Sequence, residues 1–115
     1  MSEPAPLFVD TMRLSTWLLH HVGTAPTPLA RQLAADVILL LDQVTLSFQE
    51  RDRRPARVTS ALERLSLLRV HLRLAAELGL LDQRQLVFIL EECDGIGRQL
   101  GGWARSLTRE GDPLA

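Results

Sequence analysis

The 115-residue chain has no tyrosine and no lysine. Aromatic residues make up only 4% of it, so leucine and alanine must do the packing. That balance argues against β-structure, which favours aromatic and branched side chains. One cysteine rules out an internal disulfide and implies no compartment. All 13 basic residues are arginine, and 14 acidic residues offset them. The resulting net charge of −1 removes any global pull toward nucleic acid or an anionic membrane. The apolar run Val37–Leu41 is far short of a membrane span. Met1–Pro6 lacks a basic region followed by an apolar one, so it does not read as a signal peptide. These absences predict a soluble, cytoplasmic protein with no membrane partner.

What is present is helical. Hydrophobic residues make up 46% of the chain, and a chain of this length buries roughly 65% of its unfolded surface, enough for one core in one domain spanning residues 1–115. Prolines and glycines divide it into four predicted helices, about 6–22, 28–50, 55–78 and 83–109. Leu7, Thr11, Leu14, Leu18 and Val22 share one face of the first. Thr27 is suited to N-cap the second and Pro28 to open it; its predicted stripe is Ala30, Ala34, Val37, Leu41, Val44 and Phe48, widened by Leu33 and Leu40. The third helix carries two apolar stripes. Ala61, Leu65, Leu68, Leu72 and Ala75 can face the core, whereas Leu67, Val70, Leu74 and Leu78 need another partner, and a neighbouring subunit is the obvious one. Gly79 ends this helix, and Asp82 with Gln85 forms a capping box for the next. In the fourth, Leu86, Ile89, Cys93, Ile96, Leu100, Trp103 and Leu107 alternate by three and four, the seam of a left-handed bundle. The expected fold is all-α, an antiparallel up-down four-helix bundle that assembles as a barrel-like homo-oligomer.

Four glycines interrupt the seam helix. Gly97 and Gly101 flank the apolar stripe and would admit a second helix; Gly95 and Gly102 lie opposite, among arginines. Tight packing within the chain is the other reading of all four. Arg69 and Arg73 stand four residues apart and, with Arg98 and Arg105, could form a phosphate-binding surface; a solvated face paired with Glu77 or Asp94 is the alternative. Arg51, Arg53, Arg54 and Arg57 are the densest positive charge in the chain and suit RNA or an acidic surface, or else an ordinary charged connector. Trp17 is an interface candidate against partial core burial. His71, inside an apolar arc, reads as a histidine with one hydrogen bond rather than a ligand. His20 and His21 point to different faces, so they make no chelating pair, and no Glu-x-x-His motif is present. Cys93 sits on the seam with no adjacent base. No catalytic constellation, metal set, cofactor motif or small-molecule substrate site stands out, and the chain does not read as an enzyme.

The stretch Leu65–Leu81, with Leu68-Arg-x-x-Leu-Arg-Leu-Ala75 inside it, and the later run Ile96-Gly-Arg-x-Leu-Gly-Gly-Trp103 resemble the accessory variability determinant (Avd) family, which accompanies the reverse transcriptase of diversity-generating retroelements. Trp17-Leu-Leu and the proline-containing turn before the second helix also fit. The wider family of four-helix-bundle proteins from ribosomal intervening sequences has a similar last helix, but its Ser-Ile-Pro-Ser-Asn-like middle segment has no counterpart here. The resemblance implies a four-helix bundle, a barrel-shaped homopentamer, and binding to reverse transcriptase and structured template RNA in support of mutagenic retrohoming, without catalysis. It places family arginines at Arg69, Arg73 and Arg98, and the family tryptophan at Trp103. Relatives are strongly basic and this chain is not; Thr24–Leu29, basic in many relatives, carries no charge. A helical adaptor whose arginines serve only subunit and protein contacts is the competing expectation.

Overall fold

Side-chain caps set where two of the four helices start. The structure is a computed structural model that describes residues 5–111, with side chains for residues 5–109. Its helices are α1 Pro6–His21, α2 Pro28–Gln49, α3 Arg54–Glu77 and α4 Gln83–Gly111, within two residues of the predicted bounds. Among the described residues there is no strand. Residues 1–4 of the segment read for a targeting signal lie outside the described residues.

The Thr27 side chain accepts from the Ala30 amide at 3.1 Å, and Pro28 opens α2. Asp82 and Gln85 exchange two bonds: the Gln85 amide donates to Asp82 Oδ1 at 2.8 Å, and the Asp82 amide donates to Gln85 Oε1 at 3.0 Å. Gly79 has the one positive φ among the described residues, +79°. It lets the Leu80 amide reach back to the Ala75 carbonyl at 2.9 Å and its own amide reach the Ala76 carbonyl at 3.1 Å, which reverses the chain into α4.

Each helix packs along two others, α1 along α2 and α4, and α3 along α2 and α4, while α2 and α4 meet through the rings of Phe48 and Trp103. One hydrophobic cluster draws on all four, with Leu14, Leu33, Leu68 and Ile96 among its buried members. The inward stripes of α1 and α3 contain the residues expected from their spacing, and that of α4 buries Ile89, Cys93, Ile96 and Leu100 with Leu86, Trp103 and Leu107 half-buried against the core. The inward stripe of α2 departs from the expected one. It runs through Ala30, Leu33, Val37, Leu40 and Val44, while Ala34 and Leu41 are half-buried and Phe48 is 39% exposed. The helix is turned so that Asp36 faces His71 on α3 and Phe48 meets Trp103 on α4. Asp36, 2% exposed, also accepts from Gln32 Nε2 at 2.8 Å, so a carboxylate inside the core keeps two partners.

Candidate interaction surfaces

Two surfaces of α3 stand out, one apolar and one cationic. The apolar one is the second stripe. Leu67, Val70, Leu74 and Leu78 are 49%, 60%, 45% and 65% exposed, on a helix whose first stripe fills the core. Their spacing keeps them on one face over three turns. Contiguous apolar surface of this kind marks an interaction site more often than scattered single residues do.

The cationic surface is a furrow between α3 and α4 of about 560 Å³, bordered by Arg69, Ser66, Asp94, Arg98 and Arg105 and lined as well by Leu62, Leu65, Gly97 and Gly101. Arg69 crosses from α3. Its Nη2 donates to the Cys93 carbonyl at 3.3 Å and forms an ion pair with Asp94 Oδ1 at 3.1 Å. Arg69 and Arg73 therefore part company: Arg69 lies across α4, and Arg73 stays exposed outside the furrow. A Cβ on residue 97 would stand 2.8 Å from Arg69 Nη2 and 3.4 Å from Leu65 Cδ2, both on α3, so Gly97 lets α3 lie close and leaves room for the Arg69 guanidinium. At Gly101 a Cβ would meet only Arg105, at 3.5 Å, and at Gly95 and Gly102 only arginine tips at 3.8 Å. No tight packing inside the chain requires a glycine at those three positions.

The connector arginines divide as well. Arg51 and Arg53 are exposed, and Arg53 approaches Glu50 at 4.0 Å. Arg54 turns back onto the end of α2: Nε donates to the Ser47 carbonyl at 2.7 Å, and the guanidinium lies 5.3 Å from the Trp103 ring. Arg57 pairs with Glu50 at 2.7 Å and reaches Gln43 at 3.3 Å. Arg54 and Arg57 thus satisfy and neutralise groups of their own chain.

Trp17 is half-buried against the core cluster, stacked on His21 at 4.0 Å and tilted against Phe88 at 5.4 Å. Trp103 is half-buried too, 4.8 Å from Phe48. The His20 ring meets His21 edge-on at 5.4 Å, so the two side chains converge although successive helical positions point apart. Among the described residues no group of three or more His, Cys, Asp or Glu is placed to hold a metal ion. None of the described helices is long and apolar enough to cross a membrane.

His71 Nδ1 bonds Asp36 Oδ2 at 2.5 Å, the single hydrogen bond its setting suggested. Asp36 itself went unremarked in the sequence. Its signal was an acid inside the apolar run Leu33–Leu41, a placement that demands a partner. Cys93 is buried, and burial pushes its thiol up to about 12. It stays protonated at neutral pH and behaves as a small apolar residue, not a nucleophile.

Comparison with family models, with curated proteins and with solved structures returns no match.

Proposed function

We propose that this chain is a non-catalytic helical accessory protein that assembles with copies of itself through α3. One observation carries the reading: the exposed stripe of Leu67, Val70, Leu74 and Leu78. A second copy is its occupant, since the stripe repeats in every copy and one helix face can bury its counterpart. The helices form an antiparallel up-down bundle. Asp10 bonds Gln99, Arg13 bonds Glu92 and Trp17 meets Phe88 across α1 and α4, while Gln43 meets Arg57 and Asp36 meets His71 across α2 and α3; in both series one residue number rises as the other falls.

The finer reading is an Avd-like subunit, a homopentamer that bridges a reverse transcriptase and structured template RNA. The segments that resemble the family, 65–81 and 96–107, lie largely on α3 and α4, which carry both the stripe and the furrow. Light scattering tests assembly: a particle several times the 12.9 kDa chain mass is expected, and Val70→Glu with Leu74→Glu should reduce it to a folded monomer. A monomeric unmodified protein at micromolar concentration sinks the reading. Filter binding to structured RNA should weaken steeply with salt; a flat response removes the nucleic-acid part.

A second reading, a helical adaptor that binds protein only, is favoured by the fate of Arg54 and Arg57, whose charge is spent within the chain. Charge reversal at the exposed Arg73 and Arg98 separates the two. An accessory subunit loses RNA or reverse-transcriptase binding and stays assembled; an adaptor whose arginines serve subunit contacts falls apart.

A further inference from the structure

Arg69 is held at one end of the α3–α4 furrow by α4 itself. Its Nη2 is fixed on the Cys93 carbonyl and Asp94, and Gly97 leaves room for it. Its Nε is buried and has no hydrogen-bond partner among the described residues. Arg98 and Arg105 border the same furrow from α4, seven residues apart, which places their backbones roughly 10.5 Å apart along the axis. Neither makes an ion pair among the described residues, whereas Arg69, Arg57 and Arg13 all do. Three guanidinium groups therefore share one open volume with a single carboxylate, and that carboxylate is already paired.

We infer that the furrow is a binding site for a phosphate group. An apolar helix laid there would strip water from guanidinium groups and give them no partner. A carboxylate offers two oxygens, enough for one guanidinium fork. A phosphate offers more oxygens arranged tetrahedrally, which suits forks converging from two helices, with the Ser66 hydroxyl as a further donor. Gly97 gives its space to the Arg69 guanidinium, and at Gly101 a Cβ would meet only Arg105, so neither position adds a side chain to the furrow. Two sources supply that chemistry, a nucleic-acid backbone and a free phosphate ester. The inference deepens the accessory reading and rests on its claim that an anionic partner meets α3 and α4.

The test is titration of the full chain with pyrophosphate at about 50 mM salt, followed by the backbone amide resonances of Gly97 and Gly101. Saturable shifts at both glycines are expected. Arg98→Gln with Arg105→Gln should weaken binding at least tenfold, while Arg31→Gln, on exposed α2 surface, leaves it unchanged. Structured RNA that displaces pyrophosphate assigns the site to a nucleic-acid backbone; pyrophosphate binding without such competition assigns it to a free phosphate ester. Absence of shifts at the two glycines, equal loss in Arg31→Gln, or equal shifts with a glutamate-rich peptide overturns the inference. RNA that binds with steep salt dependence yet ignores Arg98 and Arg105 overturns the inference and leaves the accessory reading standing. Pyrophosphate that binds in the furrow while RNA fails to bind anywhere does the reverse.

Discussion

The connector arginines and the furrow arginines teach opposite lessons about charge. In the connector four arginines fall within seven residues, yet Arg54 and Arg57 close bonds to α2 and Glu50. In the furrow Arg69, Arg98 and Arg105 are scattered over 37 positions, and folding brings them to one volume. Density along the chain is not density in space. A run of like charge raises its own local potential, so neighbouring acids and helix-end carbonyls capture some of it. In the furrow only Arg69 finds such an acceptor, on Asp94 and the Cys93 carbonyl, while Arg98 and Arg105 make no ion pair among the described residues.

The sharpest way to break this contrast is truncation on each side of it. Arg54→Ala should destabilise the fold by about 2 kcal/mol, because it removes a charged bond to a helix-end carbonyl and a cation–π contact. Arg98→Ala should stay within about 0.5 kcal/mol, as a surface substitution does. Urea melts of the two, compared at equal protein concentration, decide it; equal losses would erase the distinction between the two arginine sets.

The core side of α4 comes next. Cys93, whose carbonyl anchors Arg69, has its thiol held above its ordinary value, at about 12, mainly by burial. The folded state therefore keeps a proton that the unfolded chain gives up near the ordinary thiol value. Stability from this group is complete at neutral pH, declines above the unfolded value and is lost as pH rises through 12. One pH unit into that window the loss is about 1.4 kcal/mol. Cys93→Ala should flatten the alkaline limb of a stability profile, and an unchanged limb would mean the thiol is not buried in solution.

The glycines give the finest comparison. Gly97→Ala should cost about 1 kcal/mol, the loss of a charged contact partly offset by better helix propensity. Gly95→Ala and Gly102→Ala should each stabilise by about 0.5–1 kcal/mol, since a methyl group there meets only mobile arginine tips. Thermal melts in parallel read the sign, and a stabilising Gly97→Ala would show that Arg69 has no fixed seat.

Helix number, caps and three of the four inward stripes were legible because each follows from local chemistry: Thr27 beside Pro28, Asp82 with Gln85, a glycine after Leu78. The facing of α2 was not. It is apolar around much of its circumference, so its rotation is decided by a side chain elsewhere, His71 on α3. The furrow was half legible. Its arginines were singled out, but the reason for Gly97 depends on a side chain from another helix, which no spacing within α4 reveals.

The Asp36–His71 pair has a consequence for α3 itself. That helix offers two leucine-rich faces of similar appeal to a core, and burial alone would let it settle with either inward. Rolling it to hide Leu67 and Leu74 would carry His71 away from Asp36 and strand a carboxylate in the interior, and it would swing Arg69 off the Cys93 carbonyl. The two polar contacts, one on each flank of α3, act as a key in a lock that greasy surfaces would otherwise leave ambiguous, and they decide which leucines are left outside.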